Sequence, residues 1–402
     1  MRRTELDQIL TTTLASQPEV SDIIFTVDRP PQVEAYGELK PVVLDPPIEK
    51  LTPFQIETIA FNIMGDNAWQ VEDLLRHGSC DGSYALGERA RFRVNVFSQR
   101  GNYSIVMRQL NATVPTMEQL KVPEILAEIP KEKTGLVLVT GSTGSGKSTT
   151  LAAILNRINR TKSVHVVTLE DPIEFLHKHD KATFNQRELG TDFDSYNNGL
   201  RAALRQAPKV ILVGEMRDRD TVKIALSAAE TGHLVLSTLH TINAGETINR
   251  ILGMFEPEEQ EPIRIRLADS LRWVVSQRLA PKVGGGRHAL IEIMGSSLRT
   301  KEIIRLGESE GKTFYEIIEA SHTFGWGTFD QACLQAYEDG LITDETALLY
   351  CTKRSVVSRG VDNVKKTRGE IDSNVGSLRM KLAPTAAGKA SDGATPPPLK
   401  IK

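Results

Sequence analysis

The stretch G-S-T-G-S-G-K-S at residues 141–148 constrains this chain more than any other. It follows an apolar run, G-L-V-L-V-T, and opens an amphipathic one, S-T-T-L-A-A-I-L-N-R-I, so it reads as a strand, a glycine-rich turn and a helix. It fits G-x-x-x-x-G-K-[ST] in full. In that setting the glycines let backbone N–H groups close around phosphates, and the helix N-terminus adds positive potential. Gly141, Ser142, Thr143, Gly144, Ser145, Gly146, Lys147, Ser148 and Thr149 are therefore the expected nucleotide cradle. Lys147 would reach the β- and γ-phosphates of ATP, and the Ser148 hydroxyl would face Mg²⁺.

A P-loop requires a parallel sheet behind it, and the surrounding residues supply one. V-H-V-V-T-L, V-I-L-V and H-L-V-L-S-T are short apolar runs separated by helical patterns around 195–206 and 219–231. That alternation predicts an α/β domain with helices on both faces. From about 257 onward the pattern reads as mostly helical, through S-L-R-W-V-V-S-Q-R-L and on to Tyr350.

Residues 1–110 have a different rhythm: a helix over 5–16, alternating strands in S-D-I-I-F-T-V and across 78–108, and a helix over 51–64 opened by Thr52-Pro53. This predicts a small α+β domain. Three prolines, Pro115, Pro123 and Pro130, mark 111–133 as an interdomain linker, which leaves 134–352 for the nucleotide domain with its helical C-terminal region. The segment 353–402 reads as a disordered tail, with eleven Lys and Arg against four acids, about +7.

Ligands of parallel sheets sit at the carboxyl ends of the strands. Four clusters fall there or close by: Glu170-Asp171 after V-H-V-V-T-L, Glu215 after V-I-L-V-G, and His233 and His240 flanking the strand that also carries Thr238. The Glu215 strand is unusual. Such strands commonly end Asp-Glu, and here Gly214 stands in the first position.

Composition narrows the alternatives. The 402 residues are 40% hydrophobic and 25% charged, with net charge −2, an ordinary balance for a soluble protein. Aromatics are only 5%, and together with the charge this argues against a nucleic-acid motor, which would need basic stripes with stacking rings. Cys80, Cys333 and Cys351 form no C-x-x-C, so neither a zinc site nor a disulfide framework is expected. No apolar run approaches the roughly 18 residues that cross a bilayer, and the N-terminus lacks a signal peptide's apolar core. The expectation is a cytoplasmic protein.

The ordered series G-S-T-G-S-G-K-S-T-T-L, V-T-L-E-D-P-I-E-F, N-Q-R-E-L-G, L-R-Q-A-P-K-V-I-L-V-G-E-M-R-D and A-E-T-G-H-L-V-L-S-T-L-H-T resembles the secretion ATPases, within them the pilus-retraction PilT/PilU branch. The resemblance spans roughly 1–350 and implies a PAS-like N-terminal domain joined to a RecA-like ATPase domain. It implies a Walker A box at 141–148, an aspartate box at 168–175 and a Walker B box at 210–218 that normally ends Gly-Glu. A histidine box covers 231–241. Glu170 and Glu215 then act on the water, Asp171 and Glu170 share the metal with Ser148, His233 and His240 sense the γ-phosphate, and Arg93 and Arg108 serve as arginine fingers. The implied assembly is a homohexamer acting on an inner-membrane pilus platform protein. It would associate with the membrane only through that platform, and a paralogous pilus ATPase is a possible partner.

Extension ATPases of the family usually carry a further N-terminal domain and a four-cysteine insertion. This chain starts at the PAS-like domain and has no C-x-x-C, so retraction is the expectation, with a C-terminal half closer to PilU. Pilus assembly or type II secretion is the alternative within the family. A weakly hydrolysing accessory ring protein is the alternative of another class, and the presence of Lys147, Glu170 and Glu215 argues against it.

Overall fold

The computed structural model describes residues 2–110 and 113–369. The N-terminal domain contains α1 (Arg3–Ala15), β1 (Val20–Phe25), β2 (Gln32–Ala35), β3 (Glu38–Pro41), α2 (Pro53–Met64), α3 (Ala68–His77), β4 (Ser79–Leu86), β5 (Ala90–Gln99) and β6 (Asn102–Leu110). Its strands form one antiparallel sheet, in the order β3-β2-β1-β6-β5-β4. Ile23 and Phe25 of β1, Phe92 of β5 and Met107 of β6 are fully buried against Leu6, Leu10, Ile56 and Ile59 of the helices. The Thr52 hydroxyl accepts from Gln55 N–H, while Pro53 occupies the first helical turn, where a missing N–H costs nothing. Helix α3 escapes the sequence reading; Asn67 caps it and Gly78 ends it in a left-handed conformation.

The second domain has a seven-stranded sheet. Its elements are β7 (Gly135–Thr140), α5 (Lys147–Thr161), β8 (His165–Glu170), β9 (Thr183–Glu188), α6 (Tyr196–Ala203), β10 (Val210–Val213), α7 (Arg219–Glu230), β11 (Leu234–Leu239), α8 (Ala244–Leu252), α9 (Pro257–Ser270), β12 (Leu271–Pro281) and β13 (Arg287–Gly295), preceded by α4 (Met117–Leu120). The order is β13-β12-β7-β11-β10-β8-β9, all parallel except the edge strand β13. Every residue of β7, β10 and β11 is buried, as a sheet covered on both faces requires. The fold is the α/β architecture expected from the sequence: a small α+β N-terminal domain joined to a domain with helices on both faces of a mostly parallel sheet.

Two expectations need correction, and one strand escapes the sequence reading. The run S-L-R-W-V-V-S-Q-R-L is not helical: α9 stops at Ser270, and Leu271 begins β12, which pairs with β7 on one side and β13 on the other. Val274 and Val275 are both fully buried, so the run has apolar contacts on two faces, and its β-branched centre suits a strand. The stretch between V-H-V-V-T-L and the helix around 195–206, where the sequence suggests no element, holds a strand, β9, which pairs with β8 alone at the sheet edge. The proposed tail begins with a helix: α14 (Arg354–Thr367) buries Val357 and Val361, four residues apart, against α12 (Phe329–Glu338) and α13 (Asp344–Tyr350). Residues 370–402 of that tail lie outside the described residues. Between them, α10 (Leu298–Leu306) and α11 (Phe314–Glu319) complete the helical C-terminal region.

The segment read as a linker packs on the nucleotide domain. Met117, Leu126 and Ile129 are buried in the same cluster as Leu151, Ile154 and Ile158 of α5.

Candidate functional site: a phosphate cradle beneath two acidic strand ends

The turn between β7 and α5 is shaped by its glycines. Gly141 has φ +145°, and a Cβ there would lie 2.4 Å from Ser145 Oγ and 2.5 Å from Gln277 O, so no side chain fits. Gly146, with φ +91°, caps α5 in the left-handed region. Lys147 is buried and curls back over the turn, donating to Gly141 O at 2.9 Å and Ser142 O at 3.0 Å. Burial holds its ammonium below the usual lysine range, opposed by the charges of Glu215 and Glu174. Ser145 Oγ is buried without a hydrogen-bond partner. A turn with that many inward polar groups is built to face a strongly hydrogen-bonding anion.

The two acids stand on adjacent strands. Leu169 of β8 pairs with Val213 of β10, and Gly214 N–H donates to Leu169 O at 2.8 Å. Glu170 and Glu215 thus leave the sheet side by side. Glu170 Oε1 accepts from Thr168 Oγ1 at 2.6 Å and Gln186 Nε2 at 3.0 Å, while burial pushes its carboxyl up to about 7. Asp171 is also raised by burial, with Arg93 and Arg217 pulling it back down. Glu215 Oε2 accepts from Arg217 Nε at 2.7 Å, and His240 Nε2 lies 3.5 Å from Glu215 Oε1. Thr238 Oγ1 donates to Gly214 O at 2.6 Å, which ties the end of β11 to the same corner. A cleft of 330 Å³ joins these groups to Lys147, Ser148 and Arg93.

Gly214 has a local cause. A Cβ on it would sit 2.8 Å from the Tyr196 hydroxyl and 3.0 Å from Leu169 O. An aspartate at that place has no room.

Comparison with known proteins agrees with this geometry. The model of the type II/IV secretion system protein family matches residues 83–318. The chain is 42% identical over 327 residues to the type IV pilus retraction ATPase PilT of Pseudomonas aeruginosa, covering 81% of this chain and 93% of that one. It is 38% identical over 331 residues to the type IV pilus ATPase PilU of the same organism, covering 82% of this chain and 85% of that one. A crystal structure of the pilus retraction motor PilT with bound ADP superposes with a TM-score of 0.79 at 40% identity, over 88% of this chain and 98% of that one. The chain belongs to the PilT/PilU family of secretion-system ATPases.

Within this PilT/PilU frame the expected site residues divide. Thr143, Gly144, Lys147, Ser148, Glu170, Asp171, Glu215, His240 and Arg93 line one cleft. Gly141, Ser142, Ser145, Gly146 and Thr149 form the turn and first helical step around it. Arg108 lies directly opposite Arg93 on β6, but its side chain is exposed and its Nε donates to Asp22 Oδ1 at 2.9 Å. Within one chain it stays out of the cleft. His233 is the other departure: it precedes β11, with Nδ1 3.0 Å from Ala228 O, at the end of the strand opposite the cleft. The rise of a strand puts it roughly 17 Å from Thr238, so it closes the turn after α7 instead of lining this cleft.

Several lining residues have no sequence signal. Tyr196, the first residue of α6, fills the space above Gly214; burial and the surrounding carboxylates push its phenol well above the ordinary range. Glu174 and Arg217 belong to the quoted boxes, but only the fold turns them toward the cleft. His177 stacks on Phe184 at 4.7 Å, and burial pushes it down to about 4, so it is a neutral wall.

Among the described residues no three His, Cys, Asp or Glu side chains converge into a protein-only metal cage. The Ser148 hydroxyl and the carboxylates of Glu170, Asp171 and Glu215 are hard oxygen donors, few in number. That set fits Mg²⁺, which keeps several waters and takes phosphate oxygens. No helix among the described residues is long and apolar enough to cross a membrane.

Proposed function

We propose that this chain is an ATP-hydrolysing motor that powers retraction of type IV pili, acting as a homohexamer on a platform protein at the cytoplasmic face of the inner membrane. The observation that carries the reading is the divided acidic site: Glu170 and Glu215 on neighbouring strand ends over a complete P-loop, in a chain similar to PilT over most of its length.

The residues take the following roles. Lys147 and the N–H groups of 142–148 bind and orient the triphosphate, and Ser148 with the acidic corner would hold Mg²⁺, which offsets phosphate charge when bound. Glu170, at the strand end beside Glu215 and lining the same cleft, takes the proton of the attacking water. Glu215, held by Arg217, orients that water. His240, 3.5 Å from Glu215, is placed to register the γ-phosphate. Arg93 faces the acidic corner, and Arg108 on the neighbouring strand, exposed beside its Asp22 partner, would exchange that contact for a second subunit's site, where guanidinium charge offsets charge developing in the transition state. Rotation of the N-terminal domain against the nucleotide domain would carry the motion around the ring.

Deleting the gene tests the direction of the motor: excess surface pili that never retract are expected. Loss of pili would instead place it in assembly. Near-wild-type ATPase turnover in the Lys147→Ala protein would overturn the enzymatic reading altogether.

A further inference from the structure

One buried interdomain contact is not used by the catalytic reading. Glu188 ends β9, directly beside Glu170 in the β8–β9 pairing, and is only 5% exposed. Its carboxylate spans both domains. Oε1 accepts from Ser83 Oγ of β4 at 2.8 Å, and Oε2 accepts from Ile173 N–H at 3.1 Å. Arg91 of β5 approaches Oε2 at 3.6 Å through Nη2 and donates through Nη1 to Ile173 O at 2.8 Å. Both backbone groups of Ile173 are thus occupied, one by each member of the pair.

Ile173 lies inside the loop that carries Glu170, Asp171 and Glu174. A residue held at both its N–H and its C=O cannot rotate, so the carboxylates on either side of it are fixed in direction. The hold on the Ile173 C=O, and the Ser83 and Arg91 contacts that fix the Glu188 carboxylate on the Ile173 N–H, exist only while the N-terminal sheet is seated, because Arg91 and Ser83 come from it. Arg93, two residues along β5 and on the same face as Arg91, lines the cleft. The strand therefore offers one arginine to the loop's backbone and the next to the acidic corner.

We propose that Arg91 and Glu188 are positioning residues: they form a buried latch that brings the aspartate-box loop into its hydrolytic geometry only when the N-terminal domain is docked on it. The inference rests on the reading of the cleft as an ATPase site. A buried pair leaves its remaining member uncompensated when one side is removed, so the latch responds sharply to single substitutions. Misplacing a catalytic group by about 1 Å can cost up to about a hundredfold in rate, and a loosened loop is expected to cost about tenfold.

The test is steady-state MgATP turnover, with ADP affinity measured by displacement of a fluorescent ADP analogue, on full-length wild type, Glu188→Gln, Arg91→Leu and the double variant. Each single change should lower kcat about tenfold per folded molecule while ADP affinity stays within about twofold. The double variant should lose no more than the worse single, because both act through one contact. Arg91→Lys keeps the charge without the fork; it should fall between wild type and Arg91→Leu, and it carries the test if Glu188→Gln fails to fold. A purely structural pair would lower the melting temperature and leave kcat of the folded protein unchanged, and that result overturns the proposal. Additive losses, or a parallel loss of ADP affinity, also overturn it. An inactive wild type would remove the ATPase reading itself, a separate and visible outcome.

Discussion

Gly214 replaces the acid that ends many comparable strands, and the structure says that restoring one should damage the protein. In Gly214→Ala the new Cβ meets the Tyr196 hydroxyl at 2.8 Å, Leu169 O at 3.0 Å and Glu170 Cα at 3.5 Å. The tyrosine can shift. The Leu169 carbonyl cannot, because it accepts the N–H of Gly214 itself at 2.8 Å and holds β8 to β10. Overpacking of this kind costs about 1–3 kcal/mol, and for a domain of this size that lowers Tm by about 2–12 °C. Gly214→Asp should cost more, since its carboxylate enters a corner that already holds Glu170, Asp171 and Glu215. Adding Tyr196→Phe to Gly214→Ala removes the 2.8 Å contact and leaves the 3.0 Å one, so part of the loss should return. Thermal unfolding of nucleotide-free protein, followed by Mg²⁺-dependent turnover, reads both effects. A Gly214→Ala protein as stable as wild type, or a Gly214→Asp protein that turns over faster, would refute the steric account.

Two further outcomes follow from buried carboxyls. Glu170 and Glu292 are both pushed from 4.5 up to about 7 by burial, so between those values the folded chain keeps protons that the unfolded chain releases. Stability of the nucleotide-free protein should therefore fall as pH rises from 4.5 to 7, and thermal melts should show that slope flattened in Glu170→Gln/Glu292→Gln. Asp330 is 1% exposed, accepts the N–H groups of Thr352 and Lys353, and takes the Tyr315 hydroxyl at 2.8 Å. Asp330→Asn should cost about 1–3 kcal/mol, seen as faster hydrogen exchange across α13 and α14.

The features legible in the sequence are those whose cause is local. The glycines at 141, 144 and 146, the apolar runs of β7, β10 and β11, and the Thr52-Pro53 start of α2 each state their geometry within a few residues. Glu170 and Glu215 were legible because parallel strands deliver their carboxyl ends to one edge. What escaped depends on distant partners. The polar run T-F-N-Q-R-E is a strand only because β8 supplies a ladder, and L-R-W-V-V-S-Q-R-L is one because it lies between β7 and β13. Val357 and Val361 make a helix of a basic segment by reaching the C-terminal cluster. Tyr196 over Gly214 has no expression in local sequence, and nothing within N-Q-R-E-L-G says that Glu188 joins the two domains. His233 shows the reverse error: proximity to a box in sequence did not bring it to the cleft.

The central claim is that two acids from different strands jointly serve one hydrolytic site. Single-turnover hydrolysis of MgATP by wild type, Glu170→Gln and Glu215→Gln, with ATP binding measured on the same samples, tests it most directly. The account predicts that all three bind ATP and that each substitution lowers the chemical step by at least about a hundredfold, the scale of a lost general base. Wild-type rates in either variant with ATP bound would contradict it.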